Sequence, residues 1–361
     1  MVEQASKPSV ANGKAVARKI PLRRKIAFAF VPVIVLLVLG ELAARIHDHA
    51  LFKFDDARAG KFDLLRSSQP SVYDEQLGWA LKPNTSSSNN YWNKQVTIDG
   101  QGFRVHKQFA ATDKPCILAA GDSFTFGDGN NDDETWPGYL EELTKERVWN
   151  AGVFGYGLDQ AVLRAEQLVP KLEPKQLVLQ YVPDDVRRCE LMLRWAKKPY
   201  FQLENGELVL KNVPVPPAAE TKPGDIRTLL GHSYLLNSIF IRATPSWWLE
   251  DARADVRAHH DGPAVAEKLT ERMNKFGAEN HCQVLVVGLA RIKETLEIDN
   301  KELLVDILAE AHKNGVNTLY LRIADTYLNA SKHFNGEANR WIAEQIRRKL
   351  NGEKFSEAAL Q

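Results

Sequence analysis

A serine hydroxyl, an imidazole and several carboxylates are the groups in this chain with the chemistry to attack and open an acyl bond. Ser123 stands in Gly121-Asp122-Ser123-Phe124-Thr125, directly behind the apolar run Cys116-Ile117-Leu118-Ala119-Ala120. Such a run reads as a buried strand, and open parallel sheets place their reactive groups at the carboxyl ends of the strands. A serine hydroxyl is a weak nucleophile until a base takes its proton. His333, far downstream and followed by a helical pattern, is the candidate base. Carboxylates that bear on such a pair are Asp122 beside the serine, Asp184 and Asp185 behind a second apolar run, and Asp325 near the end of the last one. Each residue also has a plainer use: a serine after a strand suits a helix cap, a glycine such as Gly155 suits a turn, and His333 suits a surface loop.

Other chemistries fit less well. The G-x-S-x-G elbow is not matched, because Thr125 stands where its second glycine belongs. Asp128-Gly129-Asn130-Asn131-Asp132-Asp133-Glu134 superficially resembles a calcium loop, but Asp133 and Tyr139 occupy the sixth and twelfth positions in place of glycine and glutamate. It reads as an exposed acidic loop near the site. Gly127 and Gly129 make no dinucleotide fingerprint, and the carboxylates around them would repel phosphate. His259-His260-Asp261 lacks convincing zinc spacing. No metal or cofactor is expected.

The elements that must position these groups follow from periodicity. From residue 115 onward, apolar runs at 116–121, 148–152, 176–182, 283–289 and 317–323 alternate with helical patterns at 135–147, 158–172, 264–278, 301–314 and 336–350. Alternation of this kind predicts an α/β fold with a parallel sheet covered by helices on both faces. Residues 190–262 break the pattern, with Val213-Pro214-Val215-Pro216-Pro217 and Ser246-Trp247-Trp248-Leu249, and read as an insertion near the site, either a lid or a peripheral flap. Residues 50–112 form a polar leader that packs on the main domain of residues 113–352. Within it a turn is expected over Tyr73–Trp79 and a hairpin pairs 95–98 with 103–105.

The N-terminus carries an address. Residues 26–40 are uncharged and nearly all apolar, and they follow a basic tail (1–25) in which only Glu3 opposes seven lysines and arginines. Such a flank stays in the cytoplasm and sends the rest across, so 26–46 reads as a single-pass anchor with the main domain outside, in the periplasm or beyond the cell. A cleaved signal peptide, with Leu42-Ala43-Ala44 as a weak site, and a buried soluble helix are the competing readings. The balance of 47 basic and 46 acidic residues speaks against a nucleic-acid partner. Three cysteines are too few for a disulfide framework and read as buried thiols.

The block ILAAGDSFTFGDG resembles the first block of the SGNH (GDSL-type) hydrolases. Asn150-Ala151-Gly152-Val153-Phe154-Gly155 resembles the second block, and His333-Phe334-Asn335 with its helix the last. Leu77-Gly78-Trp79 and Ile98-Asp99-Gly100-Gln101-Gly102-Phe103-Arg104 resemble a leader of membrane-anchored members. The resemblance implies a flavodoxin-like α/β/α domain with five parallel strands in the order 2-1-3-4-5. It also implies ester hydrolysis by Ser123 and His333, with an oxyanion hole from the N–H groups of Ser123 and Gly155. The substrates it implies are O-acyl esters such as O-acetyl groups, and glycans of the cell envelope suit the location.

Two blocks depart from that pattern. Asp184 replaces the asparagine that would give the hole its third donor. A carboxylate has no N–H to offer, unless burial keeps it protonated or Arg187 or Arg188 neutralises it. Ala330 replaces the aspartate three residues before the histidine, leaving a main-chain carbonyl or the remote Asp325 to orient the ring. The departures leave two alternatives: a catalytically degenerate protein that binds a glycan, and a polysaccharide O-acyltransferase using the same serine.

Overall fold

The computed structural model describes residues 21–48, 50–52, 54, 57, 70–88, 93–106, 116–217, 226–244, 247–248, 255–292 and 301–361. Nearly all of the basic tail, and Ser246 and Leu249 of the insertion, lie outside them. The first element is α1 (Leu22–His47). Its stretch Phe28–His47 is 20 residues long and apolar enough to cross a membrane, and none of it is buried in the protein. That excludes a core helix and leaves an anchor or a signal sequence, which share this length and composition.

The leader follows as two short antiparallel ribbons. β1 (Ser71–Asp74) pairs with β2 (Gly78–Leu81) across the Tyr73–Trp79 turn. β3 (Thr85–Ser87) pairs with β4 (Val96–Ile98). The hairpin expected between 95–98 and 103–105 shrinks to one bridge, Ile98 to Arg104, because Arg104 also bridges to Asn150 at the edge of the main sheet. Leu77, Trp79, Leu81, Val96 and Ile98 are buried against Phe126, Val153, Phe154 and Tyr156, so the leader packs on the segments that carry the site.

The main sheet is built from β5 (Ile117–Ala120), β6 (Val148–Asn150), β7 (Gln176–Tyr181), β13 (Gln283–Ile292), β14 (Asn317–Ala324) and β15 (Glu357–Leu360), in the order β6-β5-β7-β13-β14-β15. Every pairing is parallel. All four residues of β5 and five of six in β7 are buried, as central strands covered on both faces must be. Helices α4 (Leu158–Leu172), α8 (Gly262–Glu279) and α9 (Lys301–Lys313) cover one face. α3 (Trp136–Thr144) and α10 (Gly336–Leu350) cover the other. This is the expected three-layer order with a sixth strand added. β15 escapes the sequence pattern because Glu-Ala-Ala-Leu has no β-branched residue and none of its side chains is buried; main-chain pairing with β14 holds it.

Two short helices sit at strand ends, α2 (Ser123–Phe126) after β5 and α5 (Pro183–Arg188) after β7. The insertion divides in two. β8 (Leu191–Arg194), β9 (Ala196–Lys197), β10 (Tyr200–Glu204), β11 (Glu207–Lys211) and β12 (Val256–Arg257) form small antiparallel sheets beside α4, α5 and α8. α7 (Tyr234–Ala243) packs instead with α1, and α6 (Ile226–Gly231) packs with α7. A fully buried Lys198–Asp159 ion pair ties the first half to α4.

Candidate active site

The candidate nucleophile, Ser123, sits where β5 gives way to α2. Gly121 allows the turn, since a Cβ there would lie 2.4 Å from the Thr125 hydroxyl and 2.8 Å from the Gln180 carbonyl oxygen. Asp122 is the cap that the sequence pattern offered to the serine: its Oδ1 accepts the Phe124 N–H at 2.9 Å. That frees the Ser123 hydroxyl for other work, with Asp122 Oδ2 3.4 Å away. Behind the helix, the buried Arg104 donates to the carbonyls of Phe126, Gly127 and Asn130 at 2.7–2.8 Å and pairs with Asp132 at 3.2 Å. Asp128 and Asn130 are buried in this arrangement, so the acidic loop is not the exposed segment its composition suggests.

His333 is brought to the serine from the loop between β14 and α10. Its Nε2 lies 2.8 Å from Ser123 Oγ and its Nδ1 2.8 Å from the Ser331 carbonyl oxygen. A carbonyl only accepts, so Nδ1 carries the proton and Nε2 is left to accept from the serine. The loop is set by Asn329, whose Oδ1 accepts the N–H groups of Ser331 and His333 while its own N–H donates to the His333 carbonyl. Phe124 packs against the imidazole with ring centroids 4.6 Å apart. Asp128 Oδ2 approaches Nε2 to 3.8 Å. Asp325, the remote carboxylate, is held by two hydrogen bonds from Arg291 at 3.0 and 2.8 Å and points its charge there.

At the end of β7 the two aspartates part. Asp184 pairs with Arg187 at 2.8 Å and Arg188 at 2.6 Å, with Arg194 at 3.7 Å. Partial burial works to raise its pKa, but these guanidinium groups outweigh it and hold the carboxyl below the ordinary range. Asp184 is therefore ionised and neutralised rather than kept protonated. Asp185 turns inward, caps α5 by accepting the Val182 N–H, and pairs with Arg188 at 2.7 Å. Burial and the neighbouring Asp122 push its carboxyl well above the ordinary range, ahead of the opposing pull of Arg188. Arg188 thus faces three carboxylates, since Asp122 Oδ2 lies 3.6 Å from its Nη1. Burial and the like charge of Arg188 lower Arg194 to about 10.

Gly155 occupies the left-handed region at φ 77°. A Cβ there would lie 2.3 Å from the Trp195 ring, so the insertion closes on this glycine. Arg194 in turn covers the Trp195 ring at 4.4 Å. The leader braces the same loop: Trp79 Nε1 donates to the Phe154 carbonyl at 3.1 Å, and the Tyr156 hydroxyl donates to the Trp79 carbonyl at 2.6 Å. Gly152 lets the loop close on α2, where a Cβ would lie 2.3 Å from the Phe126 nitrogen. Among the described residues, the N–H groups of Ser123 and Gly155 donate to no protein acceptor.

The structure therefore brings Ser123, His333 and Asp122 into one cluster and sets Asp184 and Asp185 beside it through Arg188, while Asp325 stands apart. Sequence reasoning offered a main-chain carbonyl to orient the ring without assigning it; the structure supplies that of Ser331, which carries no side-chain signal. Sequence reasoning passed over Asp128, whose position depends on how the loop folds around Arg104. His259 hydrogen-bonds the Cys189 carbonyl, and no group of metal-binding side chains occurs among the described residues. All three cysteines are free.

No family model and no curated protein matches the chain. Solved structures similar to it are lipolytic proteins and carbohydrate esterases. A lipolytic protein of the G-D-S-L family from Desulfitobacterium hafniense is 13% identical, with 65% of this chain and 99% of that one covered at a TM-score of 0.35. TesA is 13% identical, with 65% and 97% covered and a TM-score of 0.39. An acetyl xylan esterase from the rumen bacterium Butyrivibrio proteoclasticus is 9% identical, with 68% and 65% covered and a TM-score of 0.35. At such scores the chemistry must be read from the site's own geometry.

Proposed function

We propose that the chain is a membrane-anchored serine ester hydrolase of the SGNH type, working outside the cytoplasm through a Ser123–His333 dyad. One observation carries it: His333 Nε2 lies 2.8 Å from Ser123 Oγ while its Nδ1 is fixed on the Ser331 carbonyl. Ser123 Oγ attacks the acyl carbon as its proton passes to Nε2. The oxyanion of the tetrahedral intermediate takes the N–H groups of Ser123 and Gly155. Collapse breaks the ester C–O bond, and His333 returns the proton to the leaving alcohol. Water, deprotonated by the same imidazole, then releases the acid and frees Ser123.

The two sequence departures weigh less than they first suggest. In a serine triad, replacing the aspartate by asparagine costs about 10,000-fold, largely by fixing the wrong tautomer. Here the Ser331 carbonyl fixes the productive tautomer, and Asp128, 3.8 Å from Nε2, faces the charge that forms on the ring. The negative charge of Asp184 is met by Arg187, Arg188 and Arg194, so it does not stand bare beside the oxyanion. The hole keeps two main-chain donors and lacks a side-chain amide; one such donor is worth about 100- to 1,000-fold. A slow esterase acting on exposed O-acyl groups, O-acetyl esters of an envelope glycan among them, suits this inventory.

The test is labelling of the full chain in detergent with a fluorophosphonate probe, beside Ser123→Ala and His333→Ala. Labelling that disappears in Ser123→Ala and falls sharply in His333→Ala is the expected result. A folded parent that takes no label would overturn the hydrolase reading and leave a glycan-binding cleft. Acyl transfer to an added sugar, with little hydrolysis, would mark a transferase.

A further inference from the structure

The carboxylate of Glu41 works as a depth gauge. The basic run that ends at Lys25 belongs at the inner membrane surface, and Glu41 comes sixteen residues later. At about 1.5 Å per residue that is roughly 24 Å, less than the ~30 Å hydrocarbon core. Glu41 therefore sits at or just inside the outer boundary, where an unpaired carboxylate is expensive. It is fully engaged: it accepts from the Ser233 hydroxyl at 2.7 Å, the N–H groups of Tyr234 and Leu235 at 3.1 and 2.9 Å, and Arg45 at 2.6 Å. These are the first N–H groups of α7, so α7 begins at the depth of Glu41. Leu235 packs on Gly40, where a Cβ would lie 3.1 Å from its methyl group.

Around this joint a small unit closes on the outer end of α1. Ala50, Ala57 and Tyr234 form its core with Ala44. The Ala57 N–H donates to the Gly231 carbonyl, and His232 hydrogen-bonds the Phe54 carbonyl. The unit exposes large apolar side chains: Phe52 is 87% exposed, Phe54 80%, Leu229 69%, Ile239 48% and Trp247 46%. Several large apolar side chains exposed on one small unit call for a partner, and tryptophan beside arginine is the composition of a bilayer interface. Trp247 lies edge-on to Phe240, and Arg227 donates to its carbonyl.

We propose that α6, α7 and the side chains of Phe52 and Phe54 form a second membrane contact, seated in the outer interface of the bilayer beside α1. The catalytic domain is then tied to the lipid surface at two places and does not swing freely on its anchor. This rests on the reading of α1 as an uncleaved anchor. In this view that half of the insertion, read from sequence as a lid or a peripheral flap, is a foot.

The full chain carrying Ile239→Cys, labelled with a nitrobenzoxadiazole fluorophore, is reconstituted in phosphatidylcholine vesicles with and without a doxyl-labelled lipid. Lys275→Cys, 81% exposed on α8, is the control, and the parent chain is the labelling blank. The expected result is a blue-shifted emission at position 239 that loses most of its intensity to the doxyl lipid, with little change at 275. Water-like, unquenched emission at 239 from protein that resists alkaline extraction would overturn the second contact alone, as would equal quenching at both positions. Protein stripped from the vesicles at alkaline pH would overturn the anchor and the contact together, so the two failures are distinguishable.

Discussion

At the scale of single residues the site is defined by how charges are shared. Arg188 is the common partner of Asp122, Asp184 and Asp185, and one guanidinium cannot fully compensate three carboxylates. Of the two within α5, Asp185 is the buried one, and burial together with the neighbouring Asp122 raises its pKa against the pull of Arg188. The unfolded chain releases that proton near pH ~4. Above that pH the folded state therefore holds more protons than the unfolded state, and stability falls as pH rises toward the folded value. Asp185→Asn removes this dependence. The gap between the urea midpoints of the variant and the parent should shift in the variant's favour from pH ~4 upward, and a gap that stays flat would contradict the assignment. Asp184 runs the other way: its lowered pKa gives a contribution complete above pH ~4 and lost as pH falls further. Asp128 offers a test of rate. Asp128→Asn removes the charge 3.8 Å from Nε2 and should lower kcat by about tenfold or more with KM little changed, read by hydrolysis of an activated acetyl ester.

At the scale of elements, two segments foreign to the α/β core hold the loops of the candidate site. The leader supplies Arg104, whose guanidinium gathers three carbonyls at the end of α2. Arg104→Met should cost about 3–5 kcal/mol in thermal or urea unfolding, because the carbonyls and Asp132 lose a buried charged donor. The insertion supplies Trp195 over Gly155. Gly155→Ala meets both a left-handed φ, worth about 1–2 kcal/mol, and the indole ring, worth about 1–3 kcal/mol. Adding Trp195→Ala should relieve the second cost and leave the first, so urea denaturation of the single and double variants separates backbone strain from crowding. Equal destabilisation in both would mean that the ring yields without cost.

At the scale of the whole molecule, α1 meets the rest of the chain through α7, while the leader packs on the loops of the main sheet. Reading α1 as an uncleaved anchor predicts that membrane fractions of an expressing cell contain the protein at its full-chain mass, resistant to alkaline extraction. A shorter, soluble species would identify α1 as a cleaved signal. The parallel sheet places the segments that follow β5, β6, β7 and β14 at one end, and Ser123, Gly155, Asp184 and His333 belong to those four segments.

What the sequence determined by itself is whatever depends on local pattern. Apolar runs and turn residues marked five of the six strands, and amphipathic spacing marked α4 and α10 over their full lengths. Ser123, Gly155 and His333 were legible because each stands beside a strand end or a helix start, where residue type and neighbours limit the options. The tertiary structure decided everything that depends on a partner distant in the chain. The carbonyl of Ser331 gains its role only from where the loop puts it, and Asp128 is buried because Arg104 draws the loop inward. Asp184 is neutralised by Arg194 from the insertion as well as by its own helix, and Asp325 is claimed by Arg291 across neighbouring strands. Periodicity reports which face of an element is buried; only folding reports which charge meets which, and that pairing sets the chemistry of this site.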